Sequence, residues 1–250
     1  MSSWFVNYSQ SSNPTYKIIC FHPAGGSASQ FRTWPAHLPG EISILALQLP
    51  GREERFNERK ITEFSSLIPI IAEQFMSHLT TPYVIVGHSL GALIGFEIVR
   101  HFQLTKQQLP EFLVIAAKEP PTVHKIPSRP EIMDDEWLLR RLKSYSSVPE
   151  DLFQFDEFKE IFMPYIRSDF LLLNSYRYNS SPQLKVPVIA LHGNEDRTVE
   201  LNKIRSWSNL TGHSFKLKTF KGGHFFIRDS EKEVLKYLYS FFKTRNSISS

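Results

Sequence analysis

Short runs rich in β-branched and other apolar residues, at 16–22, 42–48, 83–86, 111–117, 186–192 and 214–220, alternate with longer stretches whose apolar residues recur at helical spacing. A chain that alternates strand and helix in this way builds a mostly parallel sheet with helices on both faces. Each run is nearly continuous in apolar character, as strands buried on both sides should be. The spacing of Phe64, Leu67, Ile68, Ile71, Phe75 and Leu79 predicts one face of a helix, with Pro69 forcing a late start or a kink. Further helices are predicted over 89–102, 199–210 and 230–242. Between about 120 and 178 the rhythm breaks. No strand pattern appears there, while Trp137, Leu138, Arg141 and Leu142, then Phe158, Ile161, Phe162, Tyr165 and Ile166, keep helical spacing. This segment reads as a helical cap inserted over the C-terminal edge of the sheet, where open α/β sheets place their ligands. The expectation is one domain over 1–250 carrying that insertion. The Ser/Asn-rich stretch 7–14 and the tail 246–250 are expected to be poorly ordered.

Composition excludes several classes of function. With 250 residues, 41% of them hydrophobic, the chain buries a core without disulfide or metal staples. Its longest apolar run is six residues, 112–117, against the roughly 20 a membrane helix needs. No membrane span is expected. The first basic residue is Lys17 and no signal-peptide pattern precedes it, so the expected location is the cytoplasm. Cys20 is the single cysteine and sits in an apolar run, where it reads as a small buried hydrophobe. The net charge of +4 is mild. Basic residues gather at Arg52, Arg55, Arg59 and Lys60, offset by Glu53, Glu54 and Glu58, and again at Lys216, Lys218 and Lys221. Neither group resembles a nucleic-acid module, and both read as solvated faces.

The chemistry is concentrated in Gly87-His88-Ser89-Leu90-Gly91, which follows the run Tyr83-Val84-Ile85-Val86 and opens a helical pattern. This is G-x-S-x-G in strand–turn–helix context: the turn is so tight that glycine must flank a serine held at strained backbone angles. Ser89 then stands at a helix N-terminus, where the free N–H of Leu90 favours an anionic oxygen. A serine hydroxyl needs a base, and the base needs an acid to hold its tautomer. Of nine histidines, His224 in Gly222-Gly223-His224-Phe225-Phe226 follows the last strand run and faces the Ser89 turn across the sheet edge. His88 is expected to point elsewhere, and His22, His37, His78, His101, His124, His192 and His213 read as surface or packing residues. Asp196, after the run at 186–192, supplies the acid, with Glu195 and Glu119 as rivals. The chain order Ser89, Asp196, His224 is that of an α/β-hydrolase. The loop His22-Pro23-Ala24-Gly25-Gly26-Ser27 offers the Ala24 N–H as second oxyanion donor. No phosphate-loop pattern and no metal-ligand spacing is present, so no cofactor or metal is expected.

Taken together, Phe21-His22-Pro23-Ala24-Gly25-Gly26-Ser27, Leu49-Pro50-Gly51-Arg52-Glu53-Glu54-Arg55, Gly87-His88-Ser89-Leu90-Gly91-Ala92 and Gly222-Gly223-His224-Phe225-Phe226 resemble the type II thioesterases that accompany nonribosomal peptide and polyketide synthases. The resemblance runs from about Lys17 to Phe242. It implies an α/β-hydrolase with Ser89, Asp196 and His224 as triad, a mobile helical lid, and substrates held as thioesters on the phosphopantetheine arm of a carrier protein. It departs from the family at His22, at Leu90, where methionine is common, and at Ala116-Ala117-Lys118-Glu119-Pro120; these bear on substrate preference. Arg52 and Arg55 are expected to pair with Glu53 or with lid carboxylates, or else to meet an acidic carrier surface. Nothing demands more than a monomer. Two other readings stand beside this one: a small-molecule carboxylesterase or acyltransferase with the same triad, and a non-catalytic accessory protein that binds carriers.

Overall fold

The computed structural model describes residues 3–9, 11, 13–123, 134–145 and 154–246. Strands β1 (Phe5–Asn7), β2 (Tyr16–Phe21), β3 (Ile42–Leu47), β4 (Tyr83–His88), β5 (Leu113–Ala116), β6 (Val188–Gly193) and β7 (Phe215–Phe220) form one sheet in the order β1-β3-β2-β4-β5-β6-β7. Every pairing is parallel except β1 with β3. Alternate residues of the central strands feed opposite layers. Ile19, Phe21 and Ile85 pack with helices α1 (Phe64–Met76) and α2 (Leu90–Thr105), while Ile18, Cys20, Val84 and Val86 meet Val234, Leu235 and Leu238. Those last three lie on the C-terminal helix, Glu231–Asn246. This explains the continuous apolar runs: both sides of each central strand are covered.

Order along the sheet also locates the site. From β2 the chain moves to β3 on one side; from β4 it moves to β5 on the other. The loops leaving β2 and β4 therefore diverge at their C-terminal ends and open a crevice between neighbouring strands, the usual ligand position in such sheets. The register sets Phe21 beside Gly87 and His88 beside Ala116, so that the loop after β2 and the turn after β4 lie next to each other.

Between β5 and β6 lie α3 (Asp135–Ser144), α4 (Asp156–Ile161) and α5 (Met163–Ser175), held by their own apolar cluster of Leu138, Leu142, Phe158, Met163, Ile166 and Phe170. α3 begins at Asp134, whose carboxylate accepts the Trp137 N–H, with Asp135 and Glu136 in its first turn and Arg141 and Lys143 in its last, all complementary to the helix dipole. After β6 come α6 (Leu201–Arg205), then α7 (Phe226–Asp229) and α8 (Glu231–Asn246).

Several expectations change. Phe5–Asn7, where no strand is expected and whose last residue opens the stretch 7–14 expected to be poorly ordered, pair with β3 as a short edge strand; three residues are too few to carry a periodic signal, and the partner strand supplies the order. The segment 199–210 divides into α6 and a 3-10 turn, Ser206–Leu210. β7 is an edge strand that alternates partly buried Phe215 and Leu217 with exposed Lys216 and Lys218, a charged edge that resists pairing with other chains. Pro69 neither delays nor ends α1. Pro69 lies on the exposed side of the helix. Arg52 and Arg55 are buried rather than set on a solvated face: Arg52 pairs with Asp169 of the insertion, as expected of a lid carboxylate, while Arg55 pairs with Glu58, donates to the Gln48 carbonyl and stacks on Trp4. His124 and residues 247–250 lie outside the described residues.

Candidate active site

β4 passes into α2 through Ser89 alone, at φ 53° and ψ −109°. A side chain at such angles costs on the order of 1–3 kcal/mol and persists only where its surroundings enforce it. Here the Ser89 N–H donates to the Ala116 carbonyl of β5 at 2.9 Å. The flanking glycines leave no alternative. A Cβ on Gly87 would lie 2.3 Å from the Gly91 carbonyl oxygen, and one on Gly91 would lie 2.1 Å from that of Phe21. The absence of side chains lets α2 press its first turn onto β2 and β4, leaving the Leu90 N–H at the helix mouth without an acceptor among the described residues.

Close backbone approach also joins the other two groups. Gly193 ends β6, and a Cβ there would lie 2.3 Å from the Gly223 carbonyl and 2.5 Å from that of Gly222. Across this contact the Glu195 N–H donates to the Gly222 carbonyl and the Gly222 N–H to Asn194 Oδ1. The result is a 2.8 Å hydrogen bond from His224 Nδ1 to Asp196 Oδ2. Glu195 lends only its backbone, and its side chain is exposed. Glu119 is drawn off to Lys203, 3.5 Å away. The structure thus brings Asp196, and neither rival, to His224.

Two supporting residues escape a reading of the sequence. Thr198 donates both its N–H and its hydroxyl to Asp196 Oδ1, at 2.8 and 2.6 Å. Burial acts to raise the Asp196 carboxyl, yet the hydrogen bonds from His224 and Thr198 hold it below its ordinary value. The Asp-x-Thr spacing is the signal that could have marked Thr198, since it matches a local side-chain turn. His88, expected to point away, is fully buried and donates from Nε2 to the His224 carbonyl at 2.8 Å. Burial, reinforced by His224, pushes its pKa down to about 3, so the ring is neutral.

Ser89, His224, Pro23 and Ala24 share a cavity of about 20 Å³ roofed by Leu142 and Tyr145 at the end of α3 and by Phe170 and Leu173 of α5. The Tyr145 ring lies 4.5 Å from that of His224. A larger open groove of about 830 Å³ shares Pro23, Ala24, Leu142 and Phe225 with this cavity and runs out past Arg32 and Arg228. In the loop after β2, the Gly26 N–H donates to the Pro23 carbonyl and the Gly25 N–H to Asp169. Only the Ala24 N–H of residues 24–26 has no acceptor among the described residues. His22 beside it is buried, with its pKa pushed down to about 4 by burial and by Arg52, and its Nδ1 is bonded to the Pro23 carbonyl. Among the described residues no group of three or more His, Cys, Asp or Glu is arranged to hold a metal, and no helix is long and apolar enough to cross a membrane.

The family model of the thioesterase domain matches residues 16–242. The chain belongs to the thioesterase family. It is similar to gramicidin S biosynthesis protein GrsT of Aneurinibacillus migulanus, 30% identical over 238 residues that make up 95% of this chain and 93% of GrsT. Thioesterase PikA5 of Streptomyces venezuelae is 29% identical over 235 residues, 92% of this chain and 82% of that protein. Among solved structures, the type II thioesterase BorB from the borrelidin biosynthetic cluster matches with a TM-score of 0.86 and 29% identity, across 96% of this chain and 98% of that one. The thioesterase has the α/β-hydrolase fold its motifs imply and is a thioester hydrolase of the type II class.

Proposed function

We propose that this thioesterase releases acyl or aminoacyl groups from the phosphopantetheine thioester of carrier proteins belonging to a nonribosomal peptide or polyketide synthase, with Ser89 as nucleophile, His224 as base and Asp196 as its orienting acid. The observation that carries the assignment is the pairing of His224 Nδ1 with Asp196 at 2.8 Å while the same imidazole and Ser89 line one cavity. Nδ1–H donates to the carboxylate, which leaves Nε2 as the free acceptor. It takes the Ser89 proton as Oγ attacks the thioester carbonyl. The N–H groups of Leu90 and Ala24, both without other acceptors among the described residues, receive the oxyanion. The C–S bond breaks and the leaving sulfur takes the proton from His224, a transfer that needs little acid assistance because a thiol has a pKa of about 8.5. Neutral again, His224 deprotonates a water that attacks the acyl-serine carbonyl, and it returns that proton to Ser89 Oγ as the acyl–oxygen bond breaks and the free acid leaves.

Because a thiol leaves so easily, the triad does not choose between thioester and oxygen ester. Selection falls to the helices over the cavity, acting as a lid, and to the open groove, which we assign as the approach of the pantetheine arm. The enzyme needs no cofactor of its own and works as a cytoplasmic monomer.

The test compares kcat/KM for an acetyl-loaded carrier protein with that for p-nitrophenyl butyrate. The carrier is expected to be the better substrate, and equal or better turnover of the free ester supports an esterase instead. Ser89→Ala is expected to lower kcat on the order of 10³-fold or more. Unaltered turnover removes Ser89 from the chemistry, and no turnover above background in either form leaves the accessory-protein reading.

A further inference from the structure

The loop carrying the Ala24 N–H is gripped by a side chain that does not belong to the sheet. Asp169 lies on α5, within the insertion, yet its Oδ2 accepts the Gly25 N–H at 2.8 Å. Arg52, from the loop after β3, donates from Nη1 to the Gly26 carbonyl at 2.8 Å and to Asp169 Oδ2 at 2.7 Å, and from Nη2 to Asp169 Oδ1 at 2.6 Å. Both side chains are 2% exposed, and the ring of Tyr165, one turn earlier on α5, covers the guanidinium at 4.8 Å. The loop needs such a grip. Gly25 sits at φ 73°, with the conformational freedom of glycine, and is followed by a second glycine.

We propose that Arg52 and Asp169 are positioning residues that couple the seating of α5 to the shape of the oxyanion loop. With α5 seated, the amide of Gly25 and the carbonyl of Gly26 are both held, and the Ala24 N–H between Pro23 and Gly25 is presented to the cavity. When α5 lifts, Asp169 leaves with it: the Gly25 N–H loses its acceptor, Arg52 loses its anion, and the loop is free to turn Ala24 away. Oxyanion stabilisation is thereby confined to the closed enzyme. Stability alone does not call for this pair, because well-packed apolar residues often replace a buried ion pair without loss. The proposal rests on the reading that Ala24 receives the oxyanion.

The test uses the full chain carrying Asp169→Asn and, separately, the double change Arg52→Met with Asp169→Leu, which leaves no buried charge unpaired. Thermal unfolding establishes that each is folded; should the single variant fail, the double one carries the test. The readouts are kcat and KM on an acyl-loaded carrier and the inhibition constant of an alkyl trifluoromethyl ketone, which forms a tetrahedral oxyanion on the serine. The expected result is kcat lower by about 10–10²-fold with KM changed less than about threefold, since a misaimed oxyanion donor costs less than a deleted one. Affinity for the ketone should fall by the same factor. A folded double variant with wild-type kcat and wild-type ketone affinity overturns the coupling, as does one whose KM alone rises. Ser89→Ala separates the two readings: if it is inactive while the Asp169 variants are normal, only the coupling is wrong. Failure of the ketone to inhibit the wild type counts against the serine mechanism itself.

Discussion

Ser89 is held in a strained geometry by groups with no part in the chemistry: a carbonyl of β5, and two glycines whose missing Cβ atoms let backbone meet backbone. The same economy governs Asp196. Its Oδ2 is spent on His224 and its Oδ1 on Thr198, so that the carboxylate keeps one orientation. Replacing Thr198 by valine keeps the shape and the backbone N–H bond but deletes the hydroxyl. We expect kcat to fall about 10-fold with KM little changed, as for loss of a hydrogen bond to a charged group expressed in the transition state. Steady-state rates on one carrier substrate check this, and an unchanged kcat makes Thr198 a spectator. Ser89, Asp196 and His224 are legible in sequence because each stands in a short glycine-bearing motif at a strand end. Thr198 carries only the weak local signal of its Asp-x-Thr spacing, two residues from its partner, and His88 carries none, because its partner lies 136 positions away and only the fold brings them together.

At the scale of elements, the insertion decides how much room the acyl group has. Leu142 and Tyr145 at the end of α3, with Phe170 and Leu173 of α5, close the space over Ser89 to about 20 Å³. Tyr145→Ala removes the ring that lies against His224 and opens that space. The preferred substrate should then move toward longer acyl thioesters, since each methylene admitted to an apolar pocket is worth roughly 1–3 kcal/mol. A series of acyl-loaded carriers of increasing chain length measures the shift; an unmoved optimum means Tyr145 does not bound the pocket. The helices of the insertion are readable from their spacing, and so are the central strands, whose two-sided burial writes continuous apolar runs. β1 and the edge position of β7 are not readable, because an edge is defined by what fails to pair beside it.

Across the whole molecule, two buried imidazoles tie stability to pH. His22 and His88 have pKa values pushed down to about 4 and about 3, chiefly by burial, whereas an unfolded imidazole titrates near ~6.5. Between these limits the unfolded chain binds protons that the folded chain refuses. Their contribution is therefore complete above pH ~6.5 and is lost as the pH falls toward the folded values. At about 1.4 kcal/mol per pH unit for each group, the pair sets a slope of about 2.8 kcal/mol per unit within that window. Asp196, held below its ordinary value, adds to acid sensitivity only below about pH 4. Urea unfolding between pH 7 and 4.5 measures the slope, and His88→Phe should roughly halve it. A flat profile from pH 7 to 4.5 contradicts neutral burial of these rings.

Amino-acid order alone determines the parallel sheet, the strand-ending turn that holds Ser89, and the chain order of the proposed nucleophile, acid and base, because each is written in local periodicity or in a glycine-bearing motif. It does not determine which carboxylate Arg52 meets: a partner in the insertion is one of several expected, and the fold chooses Asp169 and buries the pair. Nor does it determine that His88 braces the backbone of His224, or that Glu119 is drawn to Lys203 and away from the site. Those outcomes depend on which surfaces water leaves when distant segments pack. A charge finds its partner through desolvation in three dimensions, and residue spacing carries no record of that.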